Sequence, residues 1–148
     1  MILADTNILT SFTNTLHVHS GAARLALKKL RSADERIVLA PQNLYEFWAV
    51  ATRATNHSSP ASNGLGMTTD QARAWINYFK RQYEVLSDRD DLHVQWLEVV
   101  TEKRVKGFRS YDARLVAVMK IYGVQRILTF NGKDFAGMDV TVVDPRSV

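Results

Sequence analysis

The chain has 148 residues, of which 46% are hydrophobic and 23% charged, enough for one ordinary domain with its own core and too apolar for a disordered tail. Nineteen basic residues against fifteen acidic ones give a net charge of +4, a mild bias towards an anionic partner. Zero cysteines exclude disulfides and thiolate metal sites. No apolar run approaches the roughly 18 residues of a membrane span and no basic leader precedes a long apolar segment, so a cytoplasmic protein without membrane contact is expected.

Ile2–Ala4 reads as a short apolar strand that stops on Asp5-Thr6-Asn7. A carboxylate is costly to bury without a partner, and the carboxyl end of a strand is where open α/β sheets carry their chemistry. From Gly21 through Lys29, residues Ala22, Leu25, Ala26 and Leu30 fall at helical spacing, with Ser20 as a cap. Arg36–Ala40 is a buried strand closed by Pro41, which suits the first position of a helix running to about Arg53 with Leu44, Phe47, Trp48 and Ala51 on its core face. Residues 56–67 carry the serines, proline and glycines of a loop. Thr68 and Gln71 form a capping box for a helix bearing Ala72, Trp75, Ile76 and Phe79.

A short strand is expected near Tyr83–Ser87, then a helix from Leu92 to about Val105 in the phase of Val94, Leu97, Val100 and Val105, with Asp90 or Asp91 at its start. Ser110 caps a further helix with Ala113, Val116, Ala117 and Ile121 on its apolar stripe, ended by Gly123. Arg126–Phe130 and Val140–Val143 are the last two strands. Strands alternating with helices predict right-handed crossovers and an α/β fold: a three-layer α/β/α sandwich over a short, mostly parallel sheet, as a single domain spanning residues 1–148.

In such a layout helices start just after the carboxyl ends of strands, the edge that carries Asp5. Glu46, one turn into its helix, and Asp112, in the first turn of another, therefore converge on Asp5. Each also has a plain structural use: Asp112 as a cap, Glu46 as a solvated edge residue, Asp5 in a tight turn. Their combination carries the argument. Like charges held together raise one another's pKa unless a cation offsets them, and oxygen-only ligands suit Mg²⁺ or Mn²⁺. At the end of the next strand Thr129 can orient a carboxylate, Asn131 can offer a carbonyl oxygen, and Asp134 is the remaining acid within reach.

Basic residues Lys103, Arg104, Lys106, Arg109 and Arg114 cluster around Gly107–Tyr111. They form either a solvated helix face or a phosphate-tracking patch with Phe108 or Tyr111 free to stack on bases. His17, His19, His57 and His93 are scattered and lack the pairing of a zinc hydrolase. Tyr45, Trp48, Trp75, Phe79 and Tyr83 are more aromatic surface than two adjacent helices need for one small core, a hint of a partner.

The segments Ile2–Leu9, Pro41–Trp48, Asn63–Gly66, Asp112–Ala117 and Ile127–Phe135, in this order across the chain, resemble the PIN-domain superfamily, and within it the VapC-type ribonuclease toxins of bacterial and archaeal toxin–antitoxin pairs. The resemblance implies a PIN-like sandwich in which Asp5, Glu46 and Asp112 match the three acids of the site, and Thr6, Asn7 and Thr129 the polar residues beside it. Many members carry aspartate two residues after the threonine; here that position is Asn131 and the next acid is Asp134, so the fourth role stays open between them. The implied chemistry is hydrolysis of RNA phosphodiesters with one or two Mg²⁺ or Mn²⁺ ions held by Asp5, Asp112 and Glu46, with Lys106 and Arg109 as candidates for backbone phosphates. The implied partners are an RNA substrate, a small cognate antitoxin and a second copy of the chain. The competing expectation is a degenerate PIN-like module that binds RNA or protein without cutting.

Overall fold

The computed structural model describes residues 1–55 and 64–148. Most of the loop expected over residues 56–67, including His57 and Asn63, lies outside the described residues. Among those described, five strands form one sheet: β1 (Ile2–Ala4), β2 (Ile37–Leu39), β3 (Glu84–Val85), β4 (Arg126–Leu128) and β5 (Thr141–Val143). Their order is β3-β2-β1-β4-β5 and every pairing is parallel. The α/β/α sandwich read from the alternation of elements is the fold observed.

The strands are short and the central ones are buried on both faces, as a parallel sheet covered by helices requires. Side chains alternate between two cores. Ile2, Ala4, Ile37, Leu39 and Leu128 point into one, which is filled from α1 (Thr6–Thr13), α2 (Ser20–Ser32), α3 (Pro41–Thr52) and α4 (Thr69–Gln82). Leu3, Val38 and Ile127 point into the other, filled from α5 (Leu92–Glu102) and α6 (Arg109–Tyr122). Among the described residues no helix is long and apolar enough to cross a membrane.

Local signals held at three helix ends. Pro41 is the first residue of α3, Thr68 and Gln71 form the reciprocal capping box of α4, and Gly123 at φ +68° takes the left-handed turn that ends α6. One helix was not foreseen, and several readings need correction. Helix α1 follows β1 directly; its threonines and asparagine are weak helix formers, and it is held by the Asp5 cap and by burial of Ile8 and Leu9. In α2 the buried stripe is Ala23, Ala26, Leu27 and Leu30, so Leu25 faces solvent, and Ser20 is the first helical residue and makes no cap. In α5 the buried residues are Leu92 and Val99, with Trp96 and Val100 packed beside them, while Val94 and Leu97 are exposed. Both helices carry apolar residues on two faces, so spacing admits two stripes and packing against the sheet selects one. Ser110 likewise lies inside α6, which starts at Arg109.

Candidate active site

The chain builds the sheet outwards from β1 in one direction through β2 and β3, then returns to add β4 and β5 on the other side. The switch between β1 and β4 opens a crevice at their carboxyl ends, where open α/β sheets bind ligands. Asp5 follows β1 and Thr129 follows β4, so the two face each other across the crevice.

Asp5 is 8% exposed and caps α1, one carboxylate oxygen accepting the Thr6 N–H at 2.7 Å. The other accepts the Thr129 hydroxyl at 2.6 Å and the Asn7 side-chain amide at 2.8 Å. Asn7 also donates to Thr129 Oγ1 at 2.9 Å, and its carbonyl oxygen accepts the Phe130 N–H at 3.2 Å. Burial nevertheless pushes the Asp5 carboxyl up to about 6, against the pull of the Thr129 and Thr6 hydrogen bonds and helped by the charges of Glu46 and Asp134.

Glu46 is joined to the same network. Its Oε2 accepts the Thr6 hydroxyl at 2.6 Å and its Oε1 accepts the Gln42 amide at 2.7 Å. Gln42 also donates to the Tyr111 carbonyl at 2.9 Å and accepts from Arg114 at 3.0 Å. Arg114 in turn pairs with Asp88 at 2.6 Å. Asn43, fully buried, accepts the Ala40 N–H at 2.8 Å and donates to Thr6 Oγ1 at 3.3 Å. Gln42 and Asn43 have no role in the sequence reading, and Arg114 enters it only as a member of the basic cluster. The four-residue spacing of Gln42 and Glu46 on one helix face was the available signal.

Asp112 stands half-buried in the first turn of α6. Among the described residues nothing donates a hydrogen bond to its carboxylate. Burial, then the charges of Asp5, Asp134 and Glu46, raise its pKa to about 7, and Arg109 opposes them. Asp134 is thus close enough to act on both Asp5 and Asp112. It is carried by a 3-10 turn, Gly132–Phe135, that hugs β5 so tightly that a Cβ at Gly132 would lie 2.7 Å from Val142 Cγ1. Asn131 is exposed, and its link to the site is its backbone N–H, which donates to Thr129 Oγ1 at 3.0 Å.

The basic cluster is mostly engaged. Lys103 pairs with Asp139 at 2.5 Å and Arg114 with Asp88. The Arg109 guanidinium donates to the Asp134 and Ala136 carbonyls at 3.1 and 2.9 Å, where the sequence suggested a group free for phosphate. Lys106, Phe108 and Tyr111 are exposed. Of the aromatic residues read as spare surface, Phe79 and Tyr83 are buried and Trp75 packs against the core; Tyr45 and Trp48 are exposed, so Trp48 is not on the core face of α3 where its spacing had placed it.

The structure brings Asp5, Thr6, Asn7, Glu46 and Thr129 into one hydrogen-bonded unit, with Asp112 and Asp134 within electrostatic reach. Among the described residues no three acid or imidazole groups stand close enough to hold one metal ion in common. Mg²⁺ is often held by only one or two carboxylates, with water and substrate phosphate completing its shell. The oxygen-only donor set and the raised pKa of two of its acids fit such a cation; the wide spacing does not fit a cage of protein ligands.

The sequence profile of the PIN domain matches residues 2–140. No curated protein matches the chain. Among solved structures, FitAcB from Neisseria gonorrhoeae is 15% identical with a TM-score of 0.69 over 100% of both chains. VapBC2 from Rickettsia felis, bound to a DNA fragment from its promoter, is 16% identical with a TM-score of 0.71 over 97% of this chain and 98% of that one. VapC20 of Mycobacterium tuberculosis, a sarcin-ricin loop cleaving toxin, is 21% identical with a TM-score of 0.64 over 92% of this chain and 94% of that one. At these identities the likeness is one of fold.

Proposed function

The chain belongs to the PIN domain family, and from that premise we propose that it is a Mg²⁺- or Mn²⁺-dependent endoribonuclease of the VapC type, the toxin of a toxin–antitoxin pair. One observation carries the reading. Asp5 and Asp112 are raised to about 6 and about 7 by burial and by each other's neighbourhood of acids, a charge concentration that a divalent cation would relieve. The fold likeness to toxin–antitoxin structures, and to a sarcin-ricin loop cleaving toxin, supports the substrate class and the antitoxin partner.

In this reading Asp5 and Asp112 would be the central ligands of the cation, Glu46 would reach it directly or through water, and Asp134 would add charge at the edge of the cleft. When bound, Mg²⁺ or Mn²⁺ supplies positive charge to the phosphoryl oxygens and polarises the attacking water. Thr129, Asn7 and the Thr6 N–H fix the Asp5 carboxylate, while the Thr6 hydroxyl and Gln42 fix Glu46, so the acceptor oxygens stay oriented without reorganisation. Asp112 keeps acceptor oxygens free for a ligand or for water. Asn131 sits at the rim, and Lys106, exposed three residues before the start of α6, is a candidate for backbone phosphates. The protein acts in the cytoplasm as a homodimer; light scattering that gave a monomer at micromolar concentration would remove the dimer.

A second reading is favoured by the spacing of the acids. With no three groups close enough to share an ion among the described residues, the arrangement as it stands fits a PIN-fold module that binds RNA or protein without cutting more directly than a loaded nuclease. Incubation with total cellular RNA separates the two. A nuclease cuts with Mn²⁺, stops in EDTA and loses activity in Asp5→Ala. Equal cleavage by wild type and Asp5→Ala sinks the nuclease, and RNA retention without cleavage in Mn²⁺ selects the binding module.

A further inference from the structure

A cavity of about 560 Å³ opens beside the first turn of α6, one residue from Asp112, and nothing in the nuclease reading uses it. Its size suits a small organic ligand. Tyr111, 58% exposed, lines it together with Trp96, whose indole N–H donates to the Ser110 carbonyl at 2.9 Å and so fixes the ring. Arg114 reaches from this cavity to Gln42 and through it to Glu46, so the cavity and the acid cleft share a wall.

The charges of the cavity select the ligand. Asp88 is paired with Arg114 at 2.6 Å, and Arg89 with Asp91 at 3.3 Å. Asp90 lines the cavity, and among the described residues its carboxylate has neither a hydrogen bond nor an ion pair. A carboxylate without a protein partner beside an aromatic wall suits a flat ring that carries adjacent N–H donors. Single-stranded RNA offers such rings, splayed from the stack with their Watson–Crick edges free. Of the four bases, guanine presents two donors side by side, its ring N–H and its exocyclic amine, matching the two oxygens of a carboxylate.

We infer that this cavity is a nucleobase subsite that takes a guanine of single-stranded RNA next to the acid cleft, with Tyr111 as the stacking surface and Asp90 as the acceptor. The inference rests on the nuclease reading above. It is tested with short labelled RNAs that carry one guanine, or adenine in its place. Binding is read by fluorescence anisotropy in EDTA and cleavage in Mn²⁺. Tyr111 makes no side-chain hydrogen bond among the described residues, so its truncation leaves the fold intact, which circular dichroism checks. Tyr111→Ala is expected to weaken binding or raise KM about tenfold, as loss of one base–aromatic stack does. Tyr111→Phe retains the stack and wild-type affinity, and Asp90→Asn removes the preference for guanine over adenine. RNA bound or cut by wild type and equally by Tyr111→Ala overturns the subsite alone. No binding and no cleavage by wild type overturns the nuclease and the subsite together.

Discussion

The Thr129 hydroxyl donates to the Asp5 carboxylate at 2.6 Å, joining residues 124 positions apart at the one place where the sheet reverses its order. The bond lowers the pKa of an acid that burial raises. Thr129→Val keeps the shape and removes the donor. Asp5 then holds its proton to higher pH, and the metal-free fold loses about 1–2 kcal/mol, because the Asp5 oxygen keeps only its Asn7 donor and the Asn131 N–H loses its acceptor. Thermal unfolding at pH 8 measures the stability, and calorimetric titration with Mn²⁺ should show weaker binding. Wild-type affinity and stability in the variant would show that Asn7 and Thr6 suffice to hold Asp5.

The metal-free protein should become less stable as pH rises from about 4 to 8. Asp5 and Asp112 titrate in the fold at about 6 and about 7, above the ordinary value of 3.8. Their protonated forms favour the fold, a contribution complete below the unfolded value and lost as pH climbs through the folded values. For buried Asp5 the shift of about two units amounts to about 3 kcal/mol. Mn²⁺ binds the ionised carboxylates, so its stabilisation should grow over the same interval. Asp5→Asn removes the Asp5 share of the slope and, by taking a repelling charge from Asp112, part of the remainder; a slope unchanged in that variant would assign it to other groups.

Arg109 positions the turn that carries Asp134. Its guanidinium bonds to the Asp134 and Ala136 carbonyls tie the first turn of α6, with Asp112, to the 3-10 turn. Arg109→Ala should cut activity several-fold and raise the pH at which Asp112 ionises, because the opposing cation is gone. The pH–rate profile is the decisive readout: its acid limb should move to higher pH. A uniform loss at all pH values, with weaker dependence on salt, would mark Arg109 as a phosphate contact instead.

The fold was legible because alternation of strand and helix is a chain-wide pattern, and Pro41, the Thr68–Gln71 box and Gly123 mark helix ends by chemistry confined to a few residues. The expected convergence of Asp5, Glu46 and Asp112 followed from the same logic, since helices start where parallel strands end. Helix α1 escaped because Thr6, Asn7, Thr10 and Thr13 argue against helix locally, while the cap and the core that hold it are tertiary. The stripes of α2 and α5 were misjudged because their two apolar faces differ only in what they meet. Arg114 was read only as one of a basic cluster for a related reason: a polar side chain gains its meaning from a partner, here Asp88, 26 positions away, which no local pattern discloses.

The fourth position of the site separates Asn131 from Asp134. Asn131 reaches the crevice through its backbone, whereas Asp134 acts electrostatically on both Asp5 and Asp112. A carboxylate is also the stronger ligand for a hard cation, and its charge adds to the field that draws the cation in. Asp134→Asn should therefore weaken Mn²⁺ binding and slow cleavage at least several-fold, with the fold unchanged because its side chain makes no hydrogen bond among the described residues. It should also lower the pH at which Asp5 and Asp112 ionise, since one repelling charge is gone. Asn131→Ala should leave Mn²⁺ affinity within about twofold, because the backbone N–H that reaches Thr129 survives the change. The two variants are compared by metal titration and by single-turnover cleavage. A larger loss in Asn131→Ala than in Asp134→Asn would exchange their roles and make Asp134 a turn residue.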